Sequence, residues 1–316
     1  MCGRRTWVRL PAFAGKERAG RTMHKLMSNR ITIFWLVAPG FLLFLFMVCF
    51  PIIMSGYYGT TNWTGIGAYE FVGVDNYTKI LFHDGVFWRS LLNALLLLAA
   101  TLLIQHPLAL LFAIFVTHAG KFEKWFRAIF FIPAVISIVV TSKMWVSVFH
   151  PNFGMLNKLL EGVGLGTWKQ DWLGDPQIAI WCVIVVVMWQ GFGYALLLYY
   201  AGLQGIPKDL FEAAELDGAG RVNLYTRVII PLLSPMVRVA VVIAVTACLK
   251  QMETVFLMTN GGPANTTQFI GNYLYKTAFS SSLYGYGNAI SVVFVIICLI
   301  ITLAMNKAFK KEVGEF

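Results

Sequence analysis

Residues 212–220 read Glu-Ala-Ala-Glu-Leu-Asp-Gly-Ala-Gly and stand between two of the most apolar stretches of the chain. Burial in lipid explains nearly everything around this segment, but it does not explain a charged helical turn broken at Gly218. The chemistry such a turn offers is recognition of something outside the bilayer. A second polar group, Lys250, Gln251 and Glu253, interrupts an apolar run. Lys250 and Glu253 are three residues apart and meet on one helix face, either as a structural ion pair or as ligand contacts. His106 beside Pro107 is open to two readings, a functional intramembrane group or a hydrogen-bonded histidine at a proline kink. Catalytic constellations are missing. The five histidines are scattered, and HExxH, GxSxG, paired catalytic carboxylates and the phosphate-cradling GxxxxGK[ST] do not occur. The cysteines show neither CxxC nor zinc spacing, and four of the five lie in apolar runs as buried thiols. No catalytic, cofactor-binding or metal-ligating residue is therefore expected, and the chain does not itself bind ATP through a P-loop.

The elements that position these groups are membrane spans. The 316 residues are 58% hydrophobic and 13% charged, with a mean hydropathy of +0.69. A soluble domain carries about 25% charged residues, so the composition points to an all-α polytopic membrane protein. Six stretches reach the roughly 20 apolar residues needed to cross a bilayer: about 31–57, 91–116, 126–148, 178–203, 232–258 and 289–309. Residues 1–30 form a basic tail and 312–316 a short C-terminal one. The apolar run after the first tail is too long for a cleaved signal peptide. The residues before Met23 differ from the rest in character, as a tail or the product of an upstream start codon would.

The net charge of +10 follows from loop asymmetry and not from nucleic-acid binding. Lys and Arg crowd the N-terminal tail, the turn at Lys121, Lys124 and Arg127, the loop 204–231 with Lys208, Arg221 and Arg227, and the C-terminal Lys307, Lys310 and Lys311. The opposite loops hold Lys79, Lys158, Lys169 and Lys276. By the positive-inside rule both termini and the 204–231 loop face the cytoplasm. In that loop Asp209 is placed to cap a helix with Glu212 three residues on. Gly218 is placed to end the helix in the left-handed conformation. A second helix is predicted over 221–229, with Val222, Tyr225 and Ile229 along one face.

Glu212-Ala213-Ala214-x-x-Asp217-Gly218-Ala219, followed by Ile230-Pro231-Leu232-Leu233-x-Pro235, resembles the "EAA" signature of permease subunits in bacterial ATP-binding-cassette importers. Phe71-Val72-Gly73-Val74-Asp75-Asn76-Tyr77, Thr259-Asn260-Gly261-Gly262-Pro263, Asn265-Thr266-Thr267 and Tyr286-Gly287-Asn288-Ala289 look like the sugar-importing branch, of maltose and glycerol-phosphate type. The resemblance covers about 31–311. It implies a type I importer fold and a cytoplasmic ATPase dimer that carries ATP and Mg and docks on a coupling helix formed by the EAA loop. It also implies an extracytoplasmic solute-binding protein and a second, different permease subunit, since the Thr-Asn-Gly-Gly-Pro block is typical of the first of two. Trp189-Gln190-Gly191-Phe192-Gly193-Tyr194 is similar to the segment that contacts sugar in the maltose-type permease. Trp189 and Tyr194 would then stack on sugar rings, the alternative being packing between helices; Gln251 is a third candidate for the solute path. An Asp after Phe is common in relatives at the Glu253 position, where this chain has Met252-Glu253. Asn93 and Gln105 are expected to bond across helices. A self-sufficient channel or secondary transporter would instead show inverted repeats or paired broken helices. A membrane enzyme would need the missing catalytic groups.

Overall fold

The computed structural model describes residues 30–310. The basic tail up to Asn29, with Cys2 and Met23, and the tail 312–316 lie outside the described residues. The chain divides into two units, 1–57 and 58–316. The described part of the first is helix α1, which spans 30–58 with a π-helical turn at Leu45–Cys49. It is apolar all round, as a lipid-facing span requires.

The second unit opens with a segment in which Asn76 donates to the carbonyls of Gly59 and Thr61. Helix α2, Asp75–Phe82, follows, then α3, Gly85–Thr117. At 33 residues α3 is about 50 Å long, more than the roughly 30 Å hydrocarbon core. Helices α4, Glu123–Val135, and α5, Ile138–Val148, meet at a bend of 92°. A short helix α6, Met155–Gly162, leads to α7, Ala179–Gln204. The loop helix α8, Lys208–Leu216, comes next. Helices α9, Arg221–Leu232, and α10, Ser234–Leu249, are bent by 65°. Helix α11, Glu253–Met258, and α12, Ile270–Tyr275, flank the loop 259–269, and α13, Tyr284–Lys310, closes the described chain. Four helices are long and apolar enough to cross a membrane, or up to six if each bent pair is one span. The structure thus differs from straight spans over 126–148 and 232–258. The first bends after Pro133, where Ile136 and Ser137 are extended. The second bends at Leu233 and breaks again at 250–252.

Three prolines inside helices share one solution. The residue before each donates its N–H five residues back: Phe50 to Leu45, His106 to Thr101 and Ile230 to Tyr225. Proline has no N–H and its ring crowds the carbonyl four residues back. A π turn just ahead of it widens the helix and keeps the neighbouring groups paired.

Packing follows side-chain size. Ala109 and Ala113, one turn apart on α3, are fully buried against Ala195, Leu196 and Tyr199 of α7, as small residues permit in membrane helix pairs. Gly193 allows the closest approach of α4: a Cβ there would sit 2.5 Å from the Phe130 carbonyl oxygen. The N-terminal end of α3 is tied by Asp84. Its carboxylate caps α3 by accepting from the Phe87 N–H at 2.9 Å, and accepts from the hydroxyls of Tyr273 at 2.7 Å and Tyr286 at 2.6 Å. Burial, then the carboxylate beside it, pushes the Tyr273 hydroxyl well above the usual tyrosine range. Lys79 lies over the Tyr286 ring. One buried acid thus joins α3, α12 and α13.

Candidate functional site

Helix α8 is short because its flanks dictate it. Its N-cap is Pro207, without a side-chain cap. The expected capping box at Asp209 is not formed, because the helix starts at Lys208, two residues earlier than a cap at Asp209 requires, and leaves Asp209 in the first turn, where an acid favours the helix dipole. The C-terminus forms as the sequence indicates. Gly218 has φ +77°, the Gly218 N–H bonds the Glu215 carbonyl, and the Ala219 N–H reaches Ala214. This is the Schellman arrangement.

The loop has two faces. Phe211 and Ala214 pack with Leu203, Leu224, Ile229 and Leu233 beneath the spans. On the other side Glu212, Ala213, Asp217 and Gly218 are exposed, and Leu216 is 88% and Val222 76% exposed. The expected apolar face of Val222, Tyr225 and Ile229 is corrected accordingly. Residues 224–229 form a π helix, whose wider turn places residues five apart on one side. Leu224 and Ile229 are the buried pair, and Val222 points outward. A hydrogen bond of 3.2 Å between Tyr225 Oη and His118 Nε2 joins this element to the end of α3.

The polar groups within the spans are distributed differently from the expectation. Lys250 caps the end of α10 and Glu253 begins α11. The helix is broken between them, so they share no helix face, and both are exposed with no ion pair between them. The Gln251 Nε2 atom in the break is buried and has no hydrogen-bond partner. Trp189 packs edge-on against Trp145 of α5, with centroids 5.4 Å apart. It lines a cavity of about 430 Å³ with Gln105, Pro133 and Phe192. Tyr194 is 61% exposed and meets the Phe131 edge instead. Trp189, Tyr194 and Gln251 are therefore not gathered on one cavity in this conformation. Gln190, unassigned from sequence, donates to the Ile136 carbonyl at 3.0 Å and satisfies a backbone group freed by the bend of span three. Trp145 Nε1, Ser142 Oγ and Thr141 Oγ1 on α5 are buried without partners as well. No motif marks them in the sequence, because the bend that gathers them is a tertiary feature.

The two remaining candidates are structural. His106 Nδ1 and the Tyr199 hydroxyl are 2.7 Å apart and buried, which satisfies both at the Pro107 distortion. Asn93 donates to the carbonyls of Thr266 and Gln268, both at 2.8 Å. It clamps the Thr259–Gln268 turn, in which Asn260, Gly261, Ala264 and Asn265 are left-handed and the Gly262–Pro263 bond is cis. Among the described residues no group of three or more His, Cys, Asp or Glu is arranged to hold a metal ion.

Residues 105–313, from the middle of α3 through both bent pairs and the loop, match the family of the binding-protein-dependent transport system inner membrane component. The chain belongs to this family. It is a membrane permease subunit of a binding-protein-dependent ABC importer. A probable ABC transporter permease protein of Pyrococcus horikoshii is 35% identical over 84% of this chain and 91% of its own. The multiple sugar-binding transport system permease MsmF of Streptococcus mutans is 34% identical over 92% of this permease and 99% of that one. In fold, the permease is similar to a chain of a bacterial ABC transporter involved in the import of the acidic polysaccharide alginate. That likeness has a TM-score of 0.78, 24% identity, and covers 93% of this chain and 100% of the other.

Proposed function

We propose that this permease carries a carbohydrate inward and that α8 is its coupling helix. The two-faced loop carries the reading. An inner face anchored by Phe211 and Ala214 lets force pass to the spans. An outer face with Leu216, Glu212, Ala213, Asp217, Gly218 and Ala219 is free to seat in a cleft of a cytoplasmic ATPase dimer. ATP hydrolysis belongs to that dimer, and this chain binds no nucleotide or metal of its own. A second, different permease completes the pathway, and an extracytoplasmic binding protein delivers the solute. Both termini and α8 lie in the cytoplasm, as the Lys and Arg distribution supports.

The sugar path is the region of the two broken spans. Buried polar groups without partners call for a ligand or water, and Gln251 and Trp145 are donors of that kind. Interrupted helices at membrane depth are tolerated where they line a cavity. Trp189 and Tyr194 supply aromatic faces when α4, α7 and α10 move. Sugar-transporting names among the relatives support the substrate class. Trp189→Ala is expected to lower sugar uptake roughly fivefold, as loss of a stacking contact worth about 1 kcal/mol implies. Association with the ATPase, measured by co-purification, is expected to be intact. Loss of association with the fold otherwise preserved would make Trp189 a packing residue.

A further inference from the structure

A pocket of about 630 Å³ opens between the loop and the ends of α3 and α7. Its loop side carries Lys208, Phe211 and Glu215, which share one face of α8 by their spacing of three and four. Arg221 and Tyr225 of α9 and His118 at the end of α3 complete the polar wall. Neither Lys208 nor Arg221 forms an ion pair among the described residues. The two cations outnumber Glu215 and favour an anion. The opposite wall is mainly apolar, with Ile114, Leu203 and Ile206 beside Thr117 and Gln204. It includes Phe115, 54% exposed at the end of α3.

We infer that this pocket binds the phosphate headgroup of an anionic phospholipid. Lys208 and Arg221 would hold the phosphate, and Tyr225 and His118 lie beside it. The acyl chains would run along Phe115 into the leaflet on the loop's own side. A pocket with a charged wall and an apolar wall, at the membrane surface, suits an amphiphile better than a free ion. Anionic lipids are the anions concentrated in that layer. The bound headgroup sits on the inner face of α8, away from Leu216, and so leaves the outer face free. The inference rests on α8 lying at the membrane surface, not on the identity of the transported solute.

The test uses the full-length permease purified with its partner subunits, delipidated and titrated with phosphatidylglycerol, and read by native mass spectrometry. The wild type is expected to retain one phosphatidylglycerol per copy of this chain. Lys208→Gln with Arg221→Gln is expected to weaken that binding roughly thirtyfold, from about 1 kcal/mol for each basic residue. Lys208→Arg with Arg221→Lys is expected to restore it. Phosphatidylcholine should not compete, and millimolar glucose 6-phosphate should not displace the lipid. Displacement by the soluble ester would assign the same phosphate chemistry to a cytoplasmic metabolite and overturn the lipid. Equal retention by wild type and the glutamine variant, with the complex intact on size-exclusion chromatography, would overturn the site. A failure of sugar transport alone moves none of these readouts.

Discussion

Gly218→Val lowers uptake roughly tenfold while the permease remains inserted at its normal level. The reason is conformational and not steric. Nothing lies within 4 Å of a Cβ built at Gly218, but its φ is +77°. The left-handed region costs an L-residue about 1–2 kcal/mol, and a β-branched one more. Relieving that strain means giving up the bonds from Gly218 to Glu215 and from Ala219 to Ala214, which unwinds the end of α8 and moves Leu216. An energy of about 1–2 kcal/mol against the docked geometry corresponds to a factor of about 5 to 30. Gly218→Asn, which tolerates this conformation, retains most activity. Uptake into cells, normalised to membrane abundance by immunoblot, separates the two variants. Unchanged uptake in the valine variant would show that the turn has no part in coupling.

The second large effect is on stability. Asp84→Ala removes the cap of α3 and leaves the Tyr273 and Tyr286 hydroxyls without their acceptor. Hydrogen bonds to a charged group contribute about 1.5–3 kcal/mol each, and their losses do not simply add. A net loss of about 3 kcal/mol lowers the melting temperature by roughly 5 °C in a chain of this size. Asp84→Asn keeps an acceptor for the Phe87 N–H and falls between the two. Thermal unfolding in detergent gives the order. Equal melting of all three would mean that the outer ends of α3, α12 and α13 are held by apolar packing alone, through Phe87, Ile270 and Ile290.

The same two residues illustrate what the sequence discloses. Gly218 is legible because a left-handed helix stop is a local matter, set by one residue type after an amphipathic turn. The spans are legible for the same reason, since about twenty apolar residues suffice to define each. Asp84 is invisible in the sequence because its tyrosine partners on α12 and α13 lie far along the chain. Asn93 has the chemistry to bond across helices and instead clamps loop carbonyls, a choice fixed by the left-handed turn at 260–265. A period of 3.6 places Val222 on the buried face. The π turn ahead of Pro231 changes that period to five and buries Leu224 with Ile229. Pairing Lys250 with Glu253 requires a continuous helix, which the break at 250–252 removes. Each departure arises where a helix is widened or interrupted, and such distortions depend on which neighbour satisfies the freed backbone group.

Seating of α8 in an ATPase is tested most directly by cross-linking from its tip. With the native cysteines replaced, Leu216→Cys in the complex expressed from its own gene cluster is predicted to cross-link to the ATPase subunit. The yield should change when ATP is added, and Ile66→Cys, 90% exposed in the outer segment, should give no such product. The coupling role of α8 is contradicted if residue 216 yields no cross-link to an ATPase while membranes carrying this chain alone still take up sugar.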